Sequence, residues 1–101
     1  MTRERRPSDQ TLLLLAALMS RPRQWRHGYD LAEETALKSG TLYPILMRLG
    51  DRGLLDARWQ APEQPGRPPR HLYRLTGTGA AWAREQLALD AGAALPARGR
   101  A

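Results

Sequence analysis

A chain of 101 residues has material for one small domain and one modest core, and a subunit of this size commonly gains stability by burying further surface, so a homodimer is expected before a monomer. Sixteen Lys and Arg against ten Asp and Glu give a formal net charge of +6, which draws the chain toward polyanions such as DNA, RNA or an acidic membrane. An Arg-, Ala- and Gly-rich composition also arises without a binding role, so charge supports a function without establishing one. The absence of cysteine excludes disulfides, thiolate metal sites and cysteine nucleophiles.

Residues 1–7 are polar and basic and are expected to form a flexible N-terminus. Arg3, Arg5 and Arg6 followed by the apolar run Leu12 to Met19 imitate a secretory signal. Glu4 and Asp9 lie in or beside the basic region, no small-x-small cleavage pattern follows, and Ser20 leads straight into Arg21, Pro22 and Arg23. The run is therefore read as an internal helix. Its length falls far short of the roughly 20 apolar residues that a membrane span needs. No membrane role and a cytoplasmic location are expected.

Ser8 can cap this first helix, with Asp9 in the first turn where the helix dipole favours a negative charge. The run from Leu12 to Met19 leaves almost no polar face, and such a helix must be covered on more than one side. Leu12, Leu15 and Met19 are accordingly assigned to a subunit interface. Pro22 ends the segment, Gln24 to Arg26 read as a short edge strand, and a second helix is predicted from Gly28 to Thr35, with Tyr29, Leu31, Ala32 and Ala36 on its inner side.

Leu37 and Lys38 form a turn, and Ser39 or Thr41 caps a third helix. Pro44 requires that helix to start close to Thr41 or to carry a local distortion, because proline costs about 3 kcal/mol in a helix interior but little in the first turn. At about 100° per residue, Leu42, Ile45, Leu46 and Leu49 share an arc of roughly 100°, with Thr41 and Arg48 on one flank, Tyr43 on the other and Met47 pointing outward. One side packs while the other can touch a partner, as in a recognition helix. The helix stops at Gly53.

Leu54 to Gln60 read as a strand in which Leu55, Ala57 and Trp59 alternate with Asp56 and Arg58. The loop from Ala61 to Arg70 has too much proline to pair and presents Arg67 and Arg70. A second strand then ends at Leu75, with His71, Tyr73 and Leu75 alternating with Leu72 and Arg74. Trp25 and Trp59 are read as core or edge-strand packing. Thr76 caps a last helix through Asp90, with Ala80, Ala83 and Leu87 on one apolar edge and Trp82 with Leu89 on a surplus edge. Residues 91–101 are expected to be a disordered tail. The fold class is mainly α with a small β-hairpin: a winged helix-turn-helix over residues 8–90 with an additional C-terminal dimerisation helix.

The runs Gly28-Tyr29-Asp30-Leu31, Ser39 to Leu49 with its Gly-Thr-Leu-Tyr-Pro core, Asp51 to Leu55, and Arg70-His71-Leu72-Tyr73-Arg74-Leu75-Thr76 with Gly79 resemble the PadR family of bacterial transcriptional regulators. The likeness covers about residues 11–90. It implies a winged-helix dimer that binds operator DNA, usually as a repressor, with the third helix in the major groove and the wing on flanking phosphates or the minor groove. Gly50 stands where members often carry an acidic residue, and the last helix is shorter than the extended C-terminal elements of longer members.

Lys38, Ser39, Thr41, Tyr43 and Arg48 are the candidate DNA contacts on the third helix. Hydroxyls and Lys at a helix start suit phosphate oxygens, and Arg can pair bidentately with guanine. Ser39 and Thr41 can instead be caps, and Tyr43 a core residue. Arg67 and Arg70 are assigned to phosphate or minor-groove contact because a proline-rich loop presents them with little ordering entropy. Tyr29 can reach a phosphate or be half buried. Trp82 is assigned to the subunit interface, or to stacking on a small aromatic effector of the kind that some related regulators bind.

An enzyme reading finds no support, since His27 and His71 lie in different elements and no acidic cluster completes a metal or acid–base site. Gly77-Thr78-Gly79 is a helix start, because Trp82 occupies the third-glycine position of a dinucleotide fingerprint. No cofactor or metal is expected. The rival readings are a winged-helix interaction module that binds an acidic partner protein, and an RNA-binding domain.

Overall fold

Ser8 opens the first helix as a local capping interaction: its backbone is extended and its Oγ accepts the Thr11 amide hydrogen at 3.1 Å, satisfying one of the donors that a helix start leaves over. The computed structural model describes residues 6–62 and 64–94. Helix α1 (Asp9–Met19) buries Leu12, Leu14, Leu15 and Leu18. Leu15 has no exposed surface and Leu12 only 7%, which corrects their assignment to a subunit interface. The reason is packing within the chain, which covers α1 on several sides with elements described below. The exposed leucine of α1 is Leu13, and Met19 is half buried against the core.

The edge strand β1 (Arg26–His27) lies slightly later than expected. Arg26 is buried, and its guanidinium donates to the Ala17 carbonyl at 2.9 Å and pairs with Glu34, so the charge is compensated where water is excluded. Helix α2 (Gly28–Thr35) has the expected bounds and ends on Ala36 in the left-handed conformation, φ 61°. Helix α3 (Ser39–Asp51) begins before Thr41. Lys38 is its N-cap, without a side-chain bond, so neither Ser39 nor Thr41 caps it. Pro44 therefore lies inside the helix and deprives the Gly40 carbonyl of its usual donor; Gly40 is exposed, and water can supply that bond. Leu42, Ile45, Leu46 and Leu49 are buried, as their spacing requires.

Gly53, at φ 75°, turns the chain into strand β2 (Leu55–Gln60). Strand β3 (Arg70–Leu75) lies between β1 and β2 in an antiparallel sheet of order β1-β3-β2. The expected alternation fails in β2: after Leu55 every residue is exposed, because the hairpin projects beyond the core. Trp59 is 65% exposed and stacks on His71 rather than packing in the core. Trp25 is half buried, with the guanidinium groups of Arg58 and Arg74 each 4.3 Å from its ring.

Thr76 caps helix α4 (Gly77–Ala94): its hydroxyl accepts the Gly79 amide hydrogen at 2.9 Å and donates to the Gly53 carbonyl at 2.8 Å. The helix extends past Asp90 because Ala91, Ala93 and Ala94 are strong helix formers. The first part of the expected tail is thus helical, whereas residues 95–101 and the expectation for residues 1–5 lie outside the described residues. Ala83 is fully buried, and Ala80, Trp82 and Leu87 pack against the same core. Helix α1 is covered by α2, α4 and β3. Among the described residues no helix is long and apolar enough to cross a membrane.

Candidate nucleic-acid interface

The outward side of α3 carries Gly40, Pro44, Met47 and Arg48, all exposed, with Tyr43 on the flank nearest α2. That flank borders a groove of about 400 Å³ between the first turn of α2, Tyr43 and the base of the wing at Pro69 to His71. The Tyr43 hydroxyl lies so close to Gly28 that a Cβ there would sit 2.6 Å from it. Tyr29 is 71% exposed beside the same groove and does not join the inner side of α2, which Leu31 and Thr35 supply. Two residues along a helix turn the side chain by about 200°, so Tyr29 and Leu31 cannot share a face.

Three residues of this flank were not singled out as binding groups from the sequence. His71 holds Nδ1 3.2 Å from the Tyr73 hydroxyl and stacks on Trp59 with centroids 3.7 Å apart. Burial pushes the Tyr73 hydroxyl pKa above its ordinary value, and the nearby Tyr43 charge raises it further. His27 also lines the groove, and its Nδ1 is buried without a hydrogen-bond partner among the described residues. The pairing of His27 with Leu72 brings these elements together, and nothing local in the sequence encodes that pairing.

Arg70 links this groove to a second hollow of about 480 Å³ under the wing, which Arg67, Gln60 and Gln64 also line. Gly66, at φ 88°, turns the wing, and the Arg67 amide donates to the Gln64 carbonyl at 3.3 Å. No Asp or Glu is among the described lining of either hollow. Lys38 and Ser39 are exposed at the start of α3, while Thr41 is half buried. Chemically, the flank offers phenol hydroxyls, imidazoles and two guanidinium groups to a polyanion.

Arg48 lies elsewhere. It borders a hollow shared with Arg52 and Trp82, and the Arg52 guanidinium lies 4.9 Å from the centre of the Trp82 ring. Trp82 is half buried against the chain's own core, beside rather than apart from the Ala83 edge, whereas Leu89 remains 62% exposed.

Residues 14–85 match the transcriptional regulator PadR-like family. No curated protein matches the sequence. Among solved structures, a PadR-like transcription factor from Bacteroides fragilis is 26% identical with a TM-score of 0.69, over 91% of this chain and 92% of that one. A protein of Streptococcus mutans UA159 is 28% identical with a TM-score of 0.73, over 92% of this chain and 89% of that one. The PcaV transcriptional regulator of Streptomyces coelicolor, solved with its natural ligand, is 27% identical with a TM-score of 0.64; the match covers 85% of this chain but only 56% of PcaV.

Proposed function

Because the chain belongs to the PadR-like family of transcriptional regulators, we propose that it is a repressor that reads a duplex operator as a homodimer, with α3 in the major groove and the wing on flanking phosphates. The observation that carries this reading is the set of exposed donors on α3 and the wing: Lys38 and Ser39 at the helix start, and Tyr43, Arg70 and Arg67 along two hollows whose described lining contains no carboxylate. Such a row suits a phosphate backbone, where each neutralised phosphate releases counterions. Tyr29 adds a hydroxyl at the start of α2. Dimerisation is assigned to the apolar positions left uncovered on the paired helices α1 and α4, Leu13 at 51% and Leu89 at 62% exposure. Trp82 and Met19 contribute at most the area that the core leaves open.

The test is a gel-shift titration on the DNA upstream of its own gene at several salt concentrations. Arg67→Ala should weaken all sequences alike and lower the salt slope by about one, whereas Arg48→Ala should relax one operator position at a cost of about 1–3 kcal/mol. If both variants bind every duplex as the parent does, the surface assignment fails. Half-sites should lie about 10 base pairs apart, centre to centre. A sedimentation profile showing only monomer at micromolar concentration would overturn the dimer.

A further inference from the structure

The centre line of the exposed side of α3 differs in character from its flanks. At about 100° per residue, Gly40, Pro44, Met47 and Asp51 fall within an arc of roughly 60° opposite the buried Leu42, Ile45, Leu46 and Leu49, and Tyr43 and Arg48 stand roughly 70° to either side. All four residues of the line are exposed, and nothing lies within 4 Å of where a Cβ on Gly40 would stand. Met47 is 68% exposed and is not among the apolar side chains packed against the core.

From Gly40 to Met47 this line holds almost no hydrogen-bonding chemistry. Gly40 has no side chain, Pro44 has neither a polar side-chain atom nor an amide hydrogen, and a thioether sulfur is only a weak acceptor. The donors stand on the flanks, in the Tyr43 hydroxyl and the Arg48 guanidinium, with Lys38 at the helix start. Asp51 is the last residue of α3, and its carboxylate disfavours entry of that end among phosphates. The stretch from Gly40 to Met47 is therefore the part that can approach bases closely, and Met47 is the longest side chain on its centre line. A single exposed methionine is ordinary on a protein surface; what sets Met47 apart is its place between two hydrogen-bonding flanks on a line that has no donor.

Bases respond differently to such a surface. In the major groove guanine shows two acceptors, adenine an acceptor and a donor, and cytosine a donor, whereas thymine carries a methyl group beside its acceptor. An apolar side chain pressed on a polar edge strips water from it without replacing the hydrogen bond. Against a methyl group it buries apolar surface on both partners. We propose that Met47 is a specificity-determining residue that reads a thymine methyl group in each half-site. The inference rests on the operator-binding reading above and adds to it the identity of one base, distinct from the position that Arg48 reads.

The probe is the duplex that the full-length protein enriches from a random-sequence pool, with its thymines replaced by deoxyuridine one position at a time in both half-sites. Deoxyuridine pairs as thymine does and lacks only the methyl group. At one position the exchange should weaken binding by the parent roughly fifteenfold, about fourfold for each of two buried methyl groups. Met47→Ala should bind the thymine duplex more weakly than the parent and no longer distinguish thymine from deoxyuridine there. Met47→Leu should keep the distinction, and Met47→Gln, of similar length but polar, should lose it. Thermal midpoints and dimer dissociation constants of the variants should match the parent, because the side chain leaves the core untouched. A weakened dimer would assign Met47 to the subunit interface and overturn the proposal. An enriched duplex in which no thymine responds, or an equal response in Met47→Ala, overturns the methyl contact while operator binding stands. Enrichment of no sequence at all overturns the operator reading and the proposal with it.

Discussion

The two flanks of α3 hold their neighbours through glycines of different mechanical character. On the Tyr43 flank, Gly28 leaves room for the tip of one side chain, the phenol hydroxyl. On the Arg48 flank, α4 is seated through Gly79, where a Cβ would overlap the Leu54 carbonyl oxygen and lie 2.6 Å from the carbonyl carbon. A side-chain tip can rotate away, whereas a backbone carbonyl moves only with its segment. The first contact is therefore adjustable and belongs to the groove; the second is rigid and belongs to the scaffold.

The largest effect is expected from Gly79→Ala. Leu54 cannot withdraw without disturbing the turn at Gly53, which is tied to Thr76 through the hydroxyl contact at 2.8 Å and through the Thr76 amide on the Leu54 carbonyl at 3.1 Å. Overpacking of this kind should destabilise the protein by about 3 kcal/mol or more, as read by urea denaturation. A loss below about 1 kcal/mol, the size of an ordinary point mutation, would show that the α4 seat is as adjustable as the other.

Gly28→Ala should behave in the opposite way. Alanine is the better helix former, by up to about 1 kcal/mol, which offsets the displacement of the Tyr43 ring, so stability should change by less than about 1 kcal/mol. Operator affinity should nevertheless fall roughly tenfold, as for loss of one well-placed contact. Tyr43→Phe in the same background removes the 2.6 Å overlap and should restore packing without restoring the hydroxyl. Equal operator binding by parent and Gly28→Ala would remove Tyr43 from the interface.

Tyr73→Phe should be the mildest at neutral pH and the most informative at high pH. The folded-state pKa of Tyr73 is raised above 10.0, chiefly by burial, so the folded protein holds this proton more tightly than the unfolded chain. The associated stability is fully present below the unfolded pKa and is lost as pH rises from there through the folded value. Thermal midpoints measured from pH 7 to pH 11 should therefore decline less steeply above about pH 10 in the phenylalanine variant. An unchanged alkaline limb would mean that another group controls it.

Much of the architecture was legible because its signals are local. Ser8 and Thr76 cap the helices they precede, and Leu42, Ile45, Leu46 and Leu49 bury the face that their spacing defines. The order helix, strand, basic loop, strand already pointed to the winged fold, resemblance to the PadR family supported it, and the family match over residues 14–85 agrees. The readings that failed depend on what packs where. Leu12 and Leu15 looked surplus because the chain's own coverage of α1 is invisible to periodicity, and Trp59 stayed open between core and edge-strand packing because alternation does not reveal where a hairpin outruns its core. Neither His27 nor Arg52 carries a sequence signal that would place it beside Tyr43 or Trp82.

The sequence by itself determined the order of the elements, most of their boundaries and the buried stripe of α3, since helical spacing, caps and turn glycines act within a few residues. Only the tertiary structure decided which residues share a site. Arg6 meets Asp90 across 84 positions, and Gly79 meets Leu54 through backbone contact. Such encounters are set by how whole helices settle against one another: the same packing brings Gly28 and the base of the wing to the Tyr43 flank of α3 and Trp82 to the Arg48 flank.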